Sequence, residues 1–418
     1  MKERTLQDFQ PMQERCSNCS YCKFIPLDKI KSQKYANGCP SIAYYNFNTY
    51  SARGRFQVGL AVNKEEEIMS QDFAKVVHSC LLCGACDVSC KVCRYNLEPL
   101  AHNAALKASA VKAGQVLPGM AEAREKAIAA CRPDKSAASW SDGLGLKKVP
   151  AQKAEILFFP GNYLYGEKNR ELAAFSAKLL ADKGLDIGVL EEEFQLGETL
   201  YAMGYADDFE EAAKQIIERF KQLGVSKVVT PCAESFYALN RLYPEFGSTV
   251  EVRHITQVLA ELAEQGKLVF SNTVDLKVTY QDPCKLGRLG EAFIAWEGHE
   301  KKILNQVHTW EPRRPRFIGN EGVYDQPRAV INAIPGVKLV EMERIREYSW
   351  CCGGGGGVPV TLPDMAKFAA GDRMMEAKDT GADAIVTACA GCFGQLSQAA
   401  GDGMPQVIDI LELVKRAL

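Results

Sequence analysis

The sequence predicts a multidomain α+β and α/β protein: a helical, cysteine-rich front domain followed by two repeated α/β domains. Three observations carry this. Early cysteines fall in two tightly spaced sets, short β-branched runs alternate with helical segments beyond residue 150, and stretches of the last third repeat stretches of the middle. Its 418 residues suffice for two to four domains and a sizeable core. Lys and Arg number 50 against 52 Asp and Glu, a formal charge of -2, which argues against nucleic acid as a partner. The unusual number is 16 Cys, in a chain too large to need disulfide staples.

The opening residues, MKERTLQDFQPMQER, are charged and lack the apolar core of a secretory signal, so a reducing cytoplasm is expected. No window approaches the roughly eighteen apolar residues of a membrane span. The expectation is a chain with no transmembrane segment of its own, soluble or docked on a membrane-bound partner.

Cys16-x-x-Cys19-x-x-Cys22 is followed by Cys39-Pro40, and Cys80-x-x-Cys83-x-x-Cys86-x-x-x-Cys90 has Cys93 close behind. This is the two-cluster ferredoxin run written twice, with the first copy stretched before its last thiol. In such ferredoxins the fourth cysteine ligates the other cluster. The ligand sets are therefore crossed: Cys16, Cys19, Cys22 and Cys90 for one cubane 4Fe-4S cluster, Cys80, Cys83, Cys86 and Cys39 for the other. Lys91, not Pro, follows Cys90, so Cys93 stays open as an alternative crossed ligand. Gly84 and Ala85 keep bulk away from the second cluster. Zinc knuckles use paired C-x-x-C units, and triads with one trailing thiol suit cubanes better.

Glu65 to Val77 and Leu97 to Cys131 read as helical, with Pro118 and Gly119 interrupting the second stretch. The polar segment 132–150 reads as a linker, giving domains 1–145, 151–270 and 271–418. Strands are expected at 155–159, 227–230, 277–280 and 384–387. KVVTPCAESF around Cys232 repeats as AIVTACAGCF around Cys389, and EEEFQLGETL around Gly197 corresponds to EYSWCCGGGG around Gly353. The simplest account is an internal duplication with one worn copy. The first copy keeps Cys232, but Asn162, Gln195, Leu196 and Ser235 stand where its other thiols would be.

Five cysteines mark the second copy: Cys284, Cys351, Cys352, Cys389 and Cys392. Loops that follow parallel strands converge on one sheet edge, so residues a hundred positions apart can meet there. The glycines after Cys352 are expected to wrap closely over an inorganic core. Five thiolates exceed the need of one cubane and suit an expanded or opened iron-sulfur cluster. The rival is a redox-active dithiol at Cys389 and Cys392 beside a vicinal disulfide.

On these residues nearly the whole chain resembles the cysteine-rich "CCG domain" proteins related to heterodisulfide reductase, and the D-type subunit in particular. The resemblance implies that Cys284, Cys351, Cys352, Cys389 and Cys392 carry a noncubane 4Fe-4S cluster, as ligands of a catalytic or relay site. It implies electron passage through two cubanes to that cluster, which reduces a disulfide-type substrate, or else a non-catalytic relay in a larger acyl-CoA-, flavin- or quinone-linked complex. A flavoprotein, ferredoxin or cytochrome-type subunit is the implied partner. Gln281 and Lys285 replace histidines that relatives often carry, which puts a histidine proton donor in doubt.

Outside these sets, Cys131 reads as a small buried hydrophobe, His78 as a partly exposed helix residue, His254 as packing at a helix start, and Arg288 as either a surface residue or a stabiliser of reduced clusters.

Overall fold

The computed structural model describes residues 4–418 apart from 27, 66–69, 94–96, 305 and 306. Up to Cys131 the described chain is built from helices and turns. Serines set two of the helix starts: Ser51 accepts from the Gly54 amide and begins Ala52–Asn63, and Ser70 accepts from Phe73 and begins Gln71–His78. The helix expected from Glu65 therefore starts at Gln71. The long stretch after Leu97 is two helices, Pro99–Lys112 and Met120–Ala130, parted by a turn that ends at Gly119 with φ +83.

Two parallel sheets follow. The first contains β1 (Lys147–Val149), β2 (Ile156–Phe158), β3 (Ile187–Leu190), β4 (Lys227–Thr230) and β5 (Glu251–His254), in the order β1-β3-β2-β4-β5. The second contains β6 (Leu276–Gln281), β9 (Val337–Leu339), β10 (Ala384–Thr387) and β11 (Gln406–Asp409), in the order β9-β6-β10-β11. Without β1 the two orders are the same, strand for strand, so the duplication seen in the sequence is a duplication of topology. Between β6 and β9 the second copy inserts an antiparallel pair, β7 (His299–Ile303), exposed throughout, and β8 (Val307–Glu311).

The segment read as a linker is part of the fold. Its residues 147–149 form β1 and pair with β3, and Trp140 is buried with its indole N–H donating to Glu193 at 3.0 Å. Its polar composition concealed two apolar anchors, Trp140 and Val149, both buried. The central strands are covered on both faces, as parallel strands between helices are. On one face Phe158, Val189 and Val229 of the first sheet share a core with Val278, Ile385 and Val386 of the second. On the other, Leu157, Phe159 and Val228 pack on Phe209, Ile216 and Phe220 of the helix Ala206–Gln222. The joint core fixes the two repeats against one another, and Tyr163 bonds across it to Asp409 at 2.6 Å. Among the described residues no helix is long and apolar enough to cross a membrane.

Candidate metal centres

The first triad begins as the helix Gln10–Arg15 ends. Cys16 caps its C-terminus, the chain then turns through positive φ at Asn18 and Ser20, and Cys22 lies in a single helical turn. Cys90, on the helix Ala85–Cys93, has Cys22, Cys16 and Cys19 as its thiol neighbours, after Asp87. The side chain of Cys93, the alternative crossed ligand, lies outside the described residues. Burial pushes the Cys22 thiol up to about 11, and Cys16 and Cys19 add to that push. Cys19 is exposed, so this group sits at the surface.

The second triad is arranged around the start of the same helix. Leu82 and Gly84 take positive φ, which folds Cys80, Cys83 and Cys86 around one cavity. Cys39, next to the helix Pro40–Tyr45, lines that cavity as well, beside Cys80, Cys83, Cys86 and Ala85. Leu289 packs on Gly84 at a distance that a Cβ there would reduce to 2.5 Å. Burial pushes Cys39 up to about 12 and Cys86 well above the usual thiol range, with their neighbouring thiols adding to it. Buried thiols that resist ionisation until a cation joins them have the donor chemistry of a metal-thiolate site. Asn103 donates to Cys80 at 3.5 Å, and two buried cations, Arg55 and Lys107, lie close by.

Cys86 and Cys90 are four apart on one helix, a rise of about 6 Å between their backbone positions, so one helix serves both thiol groups. The thiol groups are looser than a single-ion site: among the described residues no three Cys, His, Asp or Glu side chains stand at single-ion spacing.

The five cysteines of the second repeat form a connected row. Cys284, in the turn after β6, neighbours Cys351, Cys351 neighbours Cys352, Cys352 is hydrogen-bonded to Cys392 with sulfurs 3.3 Å apart, and Cys392 neighbours Cys389. Cys389 is also the N-cap of the helix Ala390–Ser397, its sulfur accepting from the Cys392 amide at 3.3 Å. Backbone amides of Gly353 and Gly354 donate to Cys351 and Cys352. The row does not end there: Cys351 also touches Cys83 of the second triad. That contact pulls the Cys83 thiol below the usual thiol range, with the Arg288 guanidinium adding to the pull.

The glycine run meets two surfaces. Gly353 and Gly354 face the thiols of Cys351 and Cys352, while Cβ atoms at Gly355 and Gly356 would stand 2.6 Å from the Leu81 carbonyl oxygen and 2.3 Å from that of Cys80. Gly355 and Gly356 thus let the second repeat approach the backbone of the second triad.

The worn copy keeps the local geometry of the intact one. Cys232 is an N-cap like Cys389, with its sulfur accepting from the Ser235 amide and from the Asn162 amide at 3.5 Å each. Gly197, like Gly353, has positive φ. Its interior is filled: a Cβ at Gly161 would meet the Ser235 hydroxyl at 2.3 Å and the Cys232 sulfur at 3.0 Å. Gln195 donates to the Gly161 carbonyl at 3.2 Å, and Leu196 is fully buried.

Glu234 was missed by sequence reasoning. It accepts hydrogen bonds from Cys232 at 3.5 Å and from Cys389 at 3.4 Å, so the first repeat reaches into the thiol row of the second. Burial opposes the Lys285 ammonium, but Glu234 and Glu198 outweigh it and hold its pKa above the usual value. Gln281 donates to the Trp350 carbonyl at 3.1 Å and so fixes the approach to Cys351. Arg288 is 5% exposed, which removes the surface reading. His78 is buried too, with Nε2 2.8 Å from the Gln115 carbonyl oxygen, rather than partly exposed. His254 is a buried helix cap, and Cys131 is half-buried against Gly197.

The cysteine-rich domain family matches the chain twice, over residues 156–240 and 314–397. The second match starts beyond β8, so it includes four of the five cysteines and leaves out Cys284. The D-type subunit of the dihydromethanophenazine:CoB--CoM heterodisulfide reductase of Methanosarcina acetivorans is 29% identical, over 97% of this chain and 94% of that one. Its namesake from Methanosarcina barkeri is 30% identical, over 83% of this chain and 79% of that one. The EtfAB:quinone oxidoreductase of Syntrophomonas wolfei is 27% identical over 67% of this chain, which spans 38% of that protein.

Proposed function

The chain belongs to the family of the D-type heterodisulfide reductase subunits, and from that premise we propose that it is an iron-sulfur oxidoreductase subunit that carries electrons along three clusters in line. Cys16, Cys19, Cys22 and Cys90 hold the first cubane, and Cys80, Cys83, Cys86 and Cys39 the second, in a front domain of two-cluster ferredoxin type. Cys284, Cys351, Cys352, Cys389 and Cys392 hold the noncubane cluster. When bound, the clusters supply one-electron transfer. The observation that carries the reading is the Cys83–Cys351 contact, which joins the second triad to the five-cysteine row.

The order of the groups supports a direction through the protein. Cys19 is exposed, while Cys351, Cys352, Cys389 and Cys392 are buried. Electrons are exchanged with a flavoprotein, ferredoxin or cytochrome-type partner at the first triad, and the five-cysteine site is the inner terminus. That arrangement suits a cytoplasmic subunit, alone or held at a membrane through its partner.

The terminus acts on a disulfide-type substrate. A second reading, an electron relay inside a larger complex, is favoured by the filled interior of the worn copy, where Gly161 packs on Cys232 and Ser235. That packing leaves one noncubane cluster per chain, so a disulfide is not split between two of them. Stopped-flow addition of disulfides to the reduced protein decides between the readings. Reoxidation of the five-cysteine cluster ahead of the cubanes, with a changed paramagnetic resonance signal at that cluster, is the outcome for an enzyme; an inert reduced protein is the outcome for a relay.

A further inference from the structure

Resting on that electron path, we propose that Arg288 is a positioning residue that clamps the second triad to the five-cysteine row and raises the reduction potentials of both clusters together. Its Nε donates to the Cys83 carbonyl at 2.6 Å, and Nη1 donates to the carbonyls of Glu347 at 2.9 Å and Ser349 at 2.5 Å. Ser349 stands two residues before Cys351, and Arg288 itself four residues after Cys284. One guanidinium thus ties together the three backbone segments that carry Cys83, Cys351 and Cys284. Behind it Gly319 is packed so closely that a Cβ would come 2.8 Å from the Arg288 Cβ.

These acceptors satisfy donors without cancelling charge, because all three are neutral carbonyls. Nη2 is buried with no hydrogen-bond partner among the described residues. A buried cation left this way is costly unless negative charge lies near it. The thiols of Cys83, Cys284 and Cys351 are that charge once they bind metal. An electron arriving on either cluster is one further negative charge beside a fixed cation in a low-dielectric interior, so the reduced forms are favoured. The transfer between the two sites moves one electron and makes or breaks no bond. Lysine cannot reproduce the clamp, because an ammonium on a flexible stem lacks the planar fork that reaches three carbonyls.

The test uses the anaerobically isolated full chain as wild type, Arg288→Lys and Arg288→Gln, with iron content measured first and each cluster then titrated by electron paramagnetic resonance. In Arg288→Gln the reduced-to-oxidised ratio of the second cubane and of the five-cysteine cluster falls at least tenfold at a fixed poise, about 59 mV for a one-electron couple. Arg288→Lys shows a smaller shift of the same sign, and the first cubane, none of whose thiols is among the main charges acting on Arg288, shifts least. Unmoved potentials, or an equal shift in all three clusters, overturn the proposal. Iron loss confined to these two clusters in both variants supports the clamp, and loss of all three overturns it. An iron-free wild type instead sinks the function reading on which the proposal rests.

Discussion

Glu234 and Gly391 occupy equivalent positions of the two repeats and face each other across their boundary: a Cβ on Gly391 would stand 2.8 Å from the Glu234 carboxylate. The glycine of one copy makes room for the acid of the other, which then lies on Cys389. Removing this negative charge beside the thiol row favours electron arrival there. Glu234→Gln is expected to keep its iron and to raise the reduced-to-oxidised ratio of the five-cysteine cluster several-fold at a fixed poise, opposite in sign to the loss of Arg288. Gly391→Ala shifts the carboxylate at little cost to folding, since the crowded atom ends a flexible side chain; less than about 1 kcal/mol is expected by thermal unfolding.

The glycine run gives a sharper stability prediction. Gly356 has φ +67, and a Cβ there meets the Cys80 carbonyl at 2.3 Å, backbone that cannot swing aside. Gly356→Ala is expected to cost about 2–3 kcal/mol from strain and overpacking together. Its metal loss should start with the second cubane, read as the first component to bleach in denaturant. Gly143→Ala is the control, because its φ is also positive but nothing among the described residues lies within 4 Å.

Much of this site was legible in the sequence, and its limits are physical. Cysteine spacing is a local feature, so the triads stood out, and β4 and β10 were marked by β-branched runs flanked by Cys232 and Cys389. The repeat was readable because equivalent turns need the same small residues, as Gly197 and Gly353 show. Strands β3 and β9 were not, since Gly188 and Lys338 break their apolar pattern. β7 was missed because every residue in it is exposed and no apolar alternation marks it. Glu234 looked like ordinary wear in a degenerate copy, and only the fold brings it to Cys389. Arg288 was singled out by its place after Cys284, but the carbonyl oxygens that hold it leave no trace in residue type.

A pH dependence follows from His254. Burial pulls its pKa down to about 4 from 6.5, against the pull of the Pro231 carbonyl. The unfolded chain therefore takes up a proton that the folded chain refuses, so stability falls as pH drops from about 6.5 toward 4. His254→Asn, which keeps a side chain able to cap the helix, should remove about one proton per chain from this acid slope. Unfolding midpoints at pH 7 and pH 5 for the two proteins measure it.

Cysteines outside the three ligand sets should prove dispensable for metal. Cys232 is committed to Ser235, Asn162 and Glu234, and Cys131 to packing on Gly197. Cys232→Ser and Cys131→Ser are expected to retain wild-type iron, whereas Cys392→Ser loses the share of one cluster, roughly a third. Colorimetric iron analysis on anaerobic samples distinguishes these cases.

The central claim is that thiols from distant parts of the chain gather around three iron-sulfur clusters, and metal and sulfide analysis of the anaerobically purified full chain tests it most directly. The account predicts a brown protein with about twelve iron atoms and a matching amount of acid-labile sulfide per chain, three clusters of four irons each. A colourless protein with stoichiometric zinc and no labile sulfide would contradict it.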